Sequence, residues 1–95
     1  MPTSCSAEPS AAASLSVIVP ALNEAAVIPA LGEHLAVLRA AGAELLLVDG
    51  GSTDATAELA GAYFDHVLAS GRGRARQMNA GAARARGRVL LFLHA

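Results

Sequence analysis

Short apolar runs alternate along the chain with longer segments in which apolar residues recur every three or four positions. Leu15 to Pro20 (LSVIVP) is β-branched and apolar throughout its centre, which predicts a buried strand. Ala21 to Glu24 breaks it. Val27, Leu31, Leu35 and Leu38 then recur at spacings of 4, 4 and 3, giving a helix one apolar face. Pro29 suits the first turn of that helix, where a missing N–H costs nothing, and Gly42 ends it. Ala43 to Asp49 (AELLLVD) predicts a second strand. Gly50 to Asp54 forms a turn. Ser52 and Asp54 are both good N-caps, so a helix is expected to start there and run to about Tyr63. His66 to Ala69 reads as a short third strand, and Ser70 to Gly73 as a Gly-rich loop. The Ala- and Arg-rich run from Ala75 to about Arg86 predicts a third helix with Gly87 as its stop. Val89 to Leu93 (VLLFL) predicts a fourth buried strand.

Strands without a polar face, alternating with helices, mean an α/β fold: a Rossmann-like, mostly parallel four-stranded sheet with helices on both faces. Right-handed crossovers leave few topologies. Ligands of such sheets sit beyond the carboxyl ends of the strands. The polar residues expected there are Asn23 and Glu24 after the first strand, Asp49 to Asp54 after the second, and His94 after the fourth.

Composition sharpens this picture in three ways. A chain of 95 residues holds one small core, since it buries roughly 65% of its unfolded surface. With 54% apolar and 16% charged residues it is not intrinsically disordered. Cys5 stands alone, which excludes an internal disulfide and an all-Cys metal site. Many alanines and no lysine fit the coding bias of a GC-rich genome. No run approaches the roughly 18 to 20 apolar residues of a membrane span. Residues 1–14 lack the basic and Leu-rich segments of a secretory signal and read as a flexible lead-in, which leaves 15–95 as the domain.

Charge is divided along the chain. Residues 1–65 carry all 8 acidic residues and one arginine, Arg39, whereas the rest carries six arginines and no acid. The division suggests an anionic ligand near the C-terminal third, with a solvated helix face as the plainer explanation. Gly71-Arg72-Gly73-Arg74-Ala75-Arg76 suits phosphate, because guanidinium forks match phosphate oxygens. It is neither a Walker loop nor a dinucleotide fingerprint. Arg84, Arg86 and Arg88 read as solvated.

Asp49 closes an all-apolar strand and needs a partner, so a ligand role is favoured there. For Ser52, Thr53 and Asp54, helix capping is the favoured role. Glu24 suits either a sugar hydroxyl or the dipole of the next helix. Asn79 sits mid-helix, where its propensity is poor, and hints at a tertiary hydrogen bond. Gly81 and the neighbouring alanines allow close packing on the sheet. His34 and His66 read as surface or structural. His94 faces a ligand or solvent, and one histidine is no metal site. Cys5 is not a convincing nucleophile.

Taken together, SVIVPALNE, LLLVDGGSTDAT, GRGRARQMNAGAARARG and VLLFLHA resemble the N-terminal half of family-2 glycosyltransferases, over about residues 15–95. The resemblance implies the GT-A fold, an inverting transfer from a nucleotide-diphosphate sugar, and Mg²⁺ or Mn²⁺ in the full-length enzyme. Pro20, Asn23 and Glu24 match the family's V-P-x-x-N-E, which lines the nucleotide pocket. Asp49 matches the first acid of its D-D-G-S-x-D, which bonds the base. Gly51, Ser52 and Asp54 match the rest, while Gly50 stands where the second acid usually is. Arg74 matches a frequent Lys or Arg, and Asn79 the Asn that follows it. The Gly-Gly variant with Leu93-His94-Ala95 is similar to a branch labelled arsenosugar-biosynthesis-type.

The family's acidic metal-binding motif follows the fourth strand. Here His94 and Ala95 reach that point without an acid, and the acceptor half with its general base is not among these residues. No catalytic residue and no metal ligand is therefore expected in 15–95. The expected entity is a donor-nucleotide-binding half, inactive alone, with an unknown acceptor. In the family's strand order the fourth strand is also an exposed apolar edge, which invites pairing. A non-catalytic nucleotide-binding or subunit-pairing module is the alternative. Nucleic acid is not an expected partner: the chain is nearly neutral and has 3% aromatic residues. The expected place of action is the cytoplasm, with association at the inner face of the membrane left open.

Overall fold

The computed structural model describes residues 14–95. Residues 1–13 of the expected lead-in, Cys5 among them, lie outside the described residues. Four strands and three helices alternate: β1 (Leu15–Ala21), α1 (Ile28–Ala40), β2 (Glu44–Asp49), α2 (Thr56–Ala60), β3 (His66–Ala69), α3 (Arg74–Arg84) and β4 (Val89–Phe92). The strands form one parallel sheet in the order β3-β2-β1-β4. Strand order reverses between β1 and β4, which is where such sheets hold ligands.

The two-residue period of the strands divides the core. Val17, Val19, Ala21, Leu45 and Leu47 face α1 and α2, where Ile28, Leu35, Ala60 and Phe64 close over them. Ile18, Leu46 and Val48 face the other way, against Ala80, Ala82 and Ala85 around α3. The helices thus cover both faces, as the apolar strands require. On the α3 side the approach is close. A Cβ on Gly81 would overlap the Cγ2 of Ile18 and stand 3.1 Å from that of Val48.

Three elements depart from expectation. The second helix starts at Thr56, not at Ser52 or Asp54, and lasts five residues. Ser52 is unavailable as a cap because its hydroxyl donates to Asp49 and accepts from the Asn23 N–H at 2.8 Å. The Asp54 carboxylate takes the N–H and hydroxyl of Thr56, a turn that postpones the helix. The third helix ends at Arg84. Ala85 is already extended (φ −66, ψ 144), so Gly87 is not its stop. The fourth strand is not the buried one its composition predicts: every residue from Val89 to Phe92 is exposed, at the sheet's edge, as the strand order implied by the resemblance requires.

A polar clip fastens the amino ends of the strands. Glu44 Oε1 accepts from the Ser16 hydroxyl and the Arg86 N–H, both at 2.8 Å, and its Oε2 meets His66 Nε2 at 3.1 Å. Gly87 N–H donates to Ser16 Oγ at 2.8 Å. Partial burial works to raise the pKa of the Glu44 carboxyl. The Arg86 N–H, the Ser16 hydroxyl and His66 outweigh it and hold the group below its ordinary value. His66 is therefore structural, as expected, and the clip ties the α3–β4 connection to the sheet.

Candidate functional site

At the opposite end of the sheet, beyond the carboxyl ends of β1 and β4, lies a cavity of about 320 Å³. The end of β1 and the turn after it supply Pro20, Ala21, Leu22 and Glu24. The Gly-rich loop and the start of α3 supply Arg72, Gly73, Arg74 and Gln77. His94 and Ala95 follow β4. Gly73 makes the turn into α3 with φ at 130°, a conformation that disfavours any side chain. The helix then begins with no side-chain cap and no acid in its first turn. Its first N–H groups have no carbonyl within the helix to pair with, so its dipole adds positive potential to the two guanidinium groups. Glu24 is the one acid of the lining. The wall suits an anion.

Beside the cavity, the turns after β1 and β2 are knitted together. Asn23 adopts φ 54, and its Oδ1 accepts from the Thr53 N–H at 2.8 Å and the Thr53 hydroxyl at 3.3 Å. The Glu24 N–H donates to Thr56 Oγ1 at 2.9 Å, and the Ala25 N–H to Asp54 Oδ2 at 3.2 Å. The Thr56 hydroxyl is the main reason the Asp54 carboxyl lies below its ordinary pKa; the N–H groups of Thr56 and Ala25 add to it. Asp49 is buried and turns onto its own loop, accepting from Gly51 N–H (3.3 Å), Ser52 N–H (3.0 Å) and the Ser52 hydroxyl. The partner that its position demands is thus the β2–α2 turn.

Of the residues singled out from sequence, Pro20, Glu24, Arg74 and His94 meet on the cavity wall. Asn23, Asp49, Gly51 and Ser52 do not line it; they form the adjoining loop network. Asn79 makes no tertiary hydrogen bond among the described residues and is exposed, contrary to expectation. Gln77 makes those bonds instead. Its Nε2 donates to the carbonyls of Ala21 (3.0 Å) and Val48 (2.9 Å), at the ends of β1 and β2. The reason is helical phase. Gln77 and Gly81, four apart, share the face on the sheet, while a residue two positions on from Gln77 is turned away by about 200°. That four-residue spacing was the available signal for Gln77.

The residues present do not build a metal site: no group of three or more His, Cys, Asp or Glu side chains stands together among those described. No helix among them is long and apolar enough to cross a membrane.

Comparison with known proteins bears on the family and the fold. The family model for Glycosyl transferase family 2 matches residues 16–95. A PGL/p-HBAD biosynthesis glycosyltransferase of Mycobacterium bovis is 39% identical over 92 residues, covering 90% of this chain and 36% of that protein. A crystal structure of Mycobacterium tuberculosis glucosyl-3-phosphoglycerate synthase, in complex with Mn²⁺, uridine diphosphate and glucosyl-3-phosphoglycerate, superposes with a TM-score of 0.76 at 27% identity. It covers 85% of this chain and 33% of the synthase. A complex of the same synthase with Mg²⁺ and uridine diphosphate gives 0.76 and 27%, over 85% and 32%. The chain spans about a third of the length of these relatives.

Proposed function

The chain belongs to glycosyl transferase family 2, and we propose that residues 15–95 form the donor-nucleotide half of an enzyme that transfers a sugar, with inversion, from a nucleotide-diphosphate donor. The observation that carries this reading is the cavity at the reversal of strand order, where Arg72, Arg74 and the bare start of α3 converge. In this reading the two arginines and the helix N–H groups hold the diphosphate. Pro20 and Glu24 bound the nucleoside side. The network of Asn23, Asp49, Gly51 and Ser52 fixes the turn that carries Glu24. Uridine diphosphate, held by the related synthase, is the nucleotide to try first.

Chemistry belongs to the whole protein. Displacing a nucleoside diphosphate with inversion needs a base to take the acceptor hydroxyl's proton and a cation to stabilise the leaving group. The related synthase holds Mn²⁺ or Mg²⁺. In this reading the same ions serve the whole enzyme, with ligands outside residues 14–95, and this chain binds donor without turning it over. Its place of action is the cytoplasmic side. A second reading, a non-catalytic module that pairs with another chain, draws on the exposed β4 edge. It predicts partner binding without any affinity for nucleotide.

The test is a calorimetric titration of the 95-residue chain with uridine diphosphate, repeated with Arg74→Ala. The expected result is saturable binding that Arg74→Ala weakens by about tenfold, the worth of one charge-assisted hydrogen bond. No binding, or an unchanged affinity in the variant, removes the role given to this wall.

A further inference from the structure

Gly50 directly follows β2, and the structure shows what lies against its bare Cα. A Cβ at Gly50 would stand 2.8 Å from Cδ of Gln77, 2.9 Å from its Oε1 and 3.0 Å from its Nε2. The carboxamide therefore lies flat on the glycine. It cannot easily move off. Gln77 is 5% exposed, and its Nε2 is committed to two strand-end carbonyls, Ala21 and Val48. With both donor hydrogens spent below, the group's orientation is fixed and its Oε1 is left as an acceptor. No described group donates to that oxygen. It is not sealed in either, since no buried side-chain oxygen or nitrogen among the described residues lacks a partner. Gln77 forms part of the cavity wall.

We propose that Gly50 and Gln77 act as a matched pair, in which the glycine seats the carboxamide so that Gln77 Oε1 accepts a hydrogen bond from an N–H or O–H of the bound nucleoside. This rests on the nucleotide reading of the cavity and extends it. The neutral acceptor arrives from α3, across the bare glycine of the β2 turn. A neutral, oriented oxygen selects for a hydrogen-bond donor without adding negative charge beside the diphosphate. Arg72 and Arg74 hold the charged part of the ligand, and Gln77 reads the uncharged part.

The two parts can be separated by probe. Uridine diphosphate carries both, and inorganic pyrophosphate only the anionic one. Affinities for each are measured on the unaltered chain and on Gln77→Met, which keeps length and loses the acceptor. The expected result is a loss of roughly three- to tenfold for uridine diphosphate, with pyrophosphate unchanged. Gly50→Ala is expected to give the same selective loss, because its Cβ takes the carboxamide's seat. Equal weakening of both probes would mean that Gln77 only supports the fold, and would overturn the proposal. So would unchanged affinity for uridine diphosphate, with the nucleotide reading left standing. Failure of the unaltered chain to bind uridine diphosphate overturns both. A readout free of substitutions is the side-chain amide resonance of Gln77 in the unaltered chain. It is expected to shift with uridine diphosphate and not with pyrophosphate, and a resonance that ignores both ligands refutes the contact.

Discussion

Replacing Gly81 by alanine should destabilise the protein although it improves the helix. Gly81 lies within α3, where alanine gains about 1 kcal/mol over glycine in intrinsic propensity. Against that gain stands a Cβ that would overlap Ile18 Cγ2 and lie 3.1 Å from Val48 Cγ2. Neither partner can retreat, because both are fully buried at 0% exposure in the two central strands. The helix must lift, or β1 and β2 must shift, and such overpacking costs about 1–3 kcal/mol. Because the overlap falls on rigid β-branched side chains, the upper part of that range applies, and the net loss is about 1–2 kcal/mol. For a domain of this size each kcal/mol moves Tm by roughly 4–8 °C. Urea and thermal unfolding of Gly81→Ala would measure the loss. Asn79→Ala supplies the control: on the exposed side of the same helix, propensity acts alone and a gain of about 0.5 kcal/mol is expected. A Gly81→Ala protein more stable than the parent would refute the close seating of α3 on the sheet.

Other perturbations address other joints. The folded-state pKa of Glu44 is depressed, so its stabilising effect is complete above the ordinary carboxylate range and fades as pH falls through the depressed value. Unfolding between about pH 6 and about pH 3 should accordingly show an acid-side loss that Glu44→Gln reduces, and an identical pH profile in the variant would contradict the clip. Asp49→Ala removes a carboxylate that three groups of its own turn bond, and should lower unfolding free energy by about 2 kcal/mol in urea titrations. Leu91→Lys places a charge on the exposed β4 edge and should reduce concentration-dependent association in sedimentation velocity runs, without lowering Tm.

The elements were legible where one physical rule acted alone. β1 and β2 are apolar on both faces and sit in the sheet's centre, as their composition demands. β3 spans the four residues expected, and Gly42 ends α1 with φ 110. The failures came where two rules competed for one side chain. Ser52 and Asp54 are good caps by residue type. Each instead spends its oxygen on a neighbouring turn, and a helix of five residues results. Val89 to Phe92 is as apolar as β1, yet it lies at the sheet's edge; composition does not carry that position, whereas the strand order implied by the resemblance does. The site divided in the same way. Arg74 and Glu24 reach the cavity because loops at strand ends must point there. Asn79 drew notice for its poor propensity, whereas the phase of α3 gives the buried hydrogen bonds to Gln77.

The most direct measurement is an amide correlation spectrum of the ¹⁵N-labelled chain, recorded as uridine diphosphate is added. If the cavity beyond β1 and β4 binds the nucleotide, the shifts will concentrate at Leu22, Glu24, Gly73, Arg74, Gln77 and His94. The residues around Glu44 at the other end of the sheet will remain still. Shifts spread evenly over the exposed arginines, or confined to Arg84, Arg86 and Arg88, would mean that charge alone attracts the ligand and that this cavity is not its site.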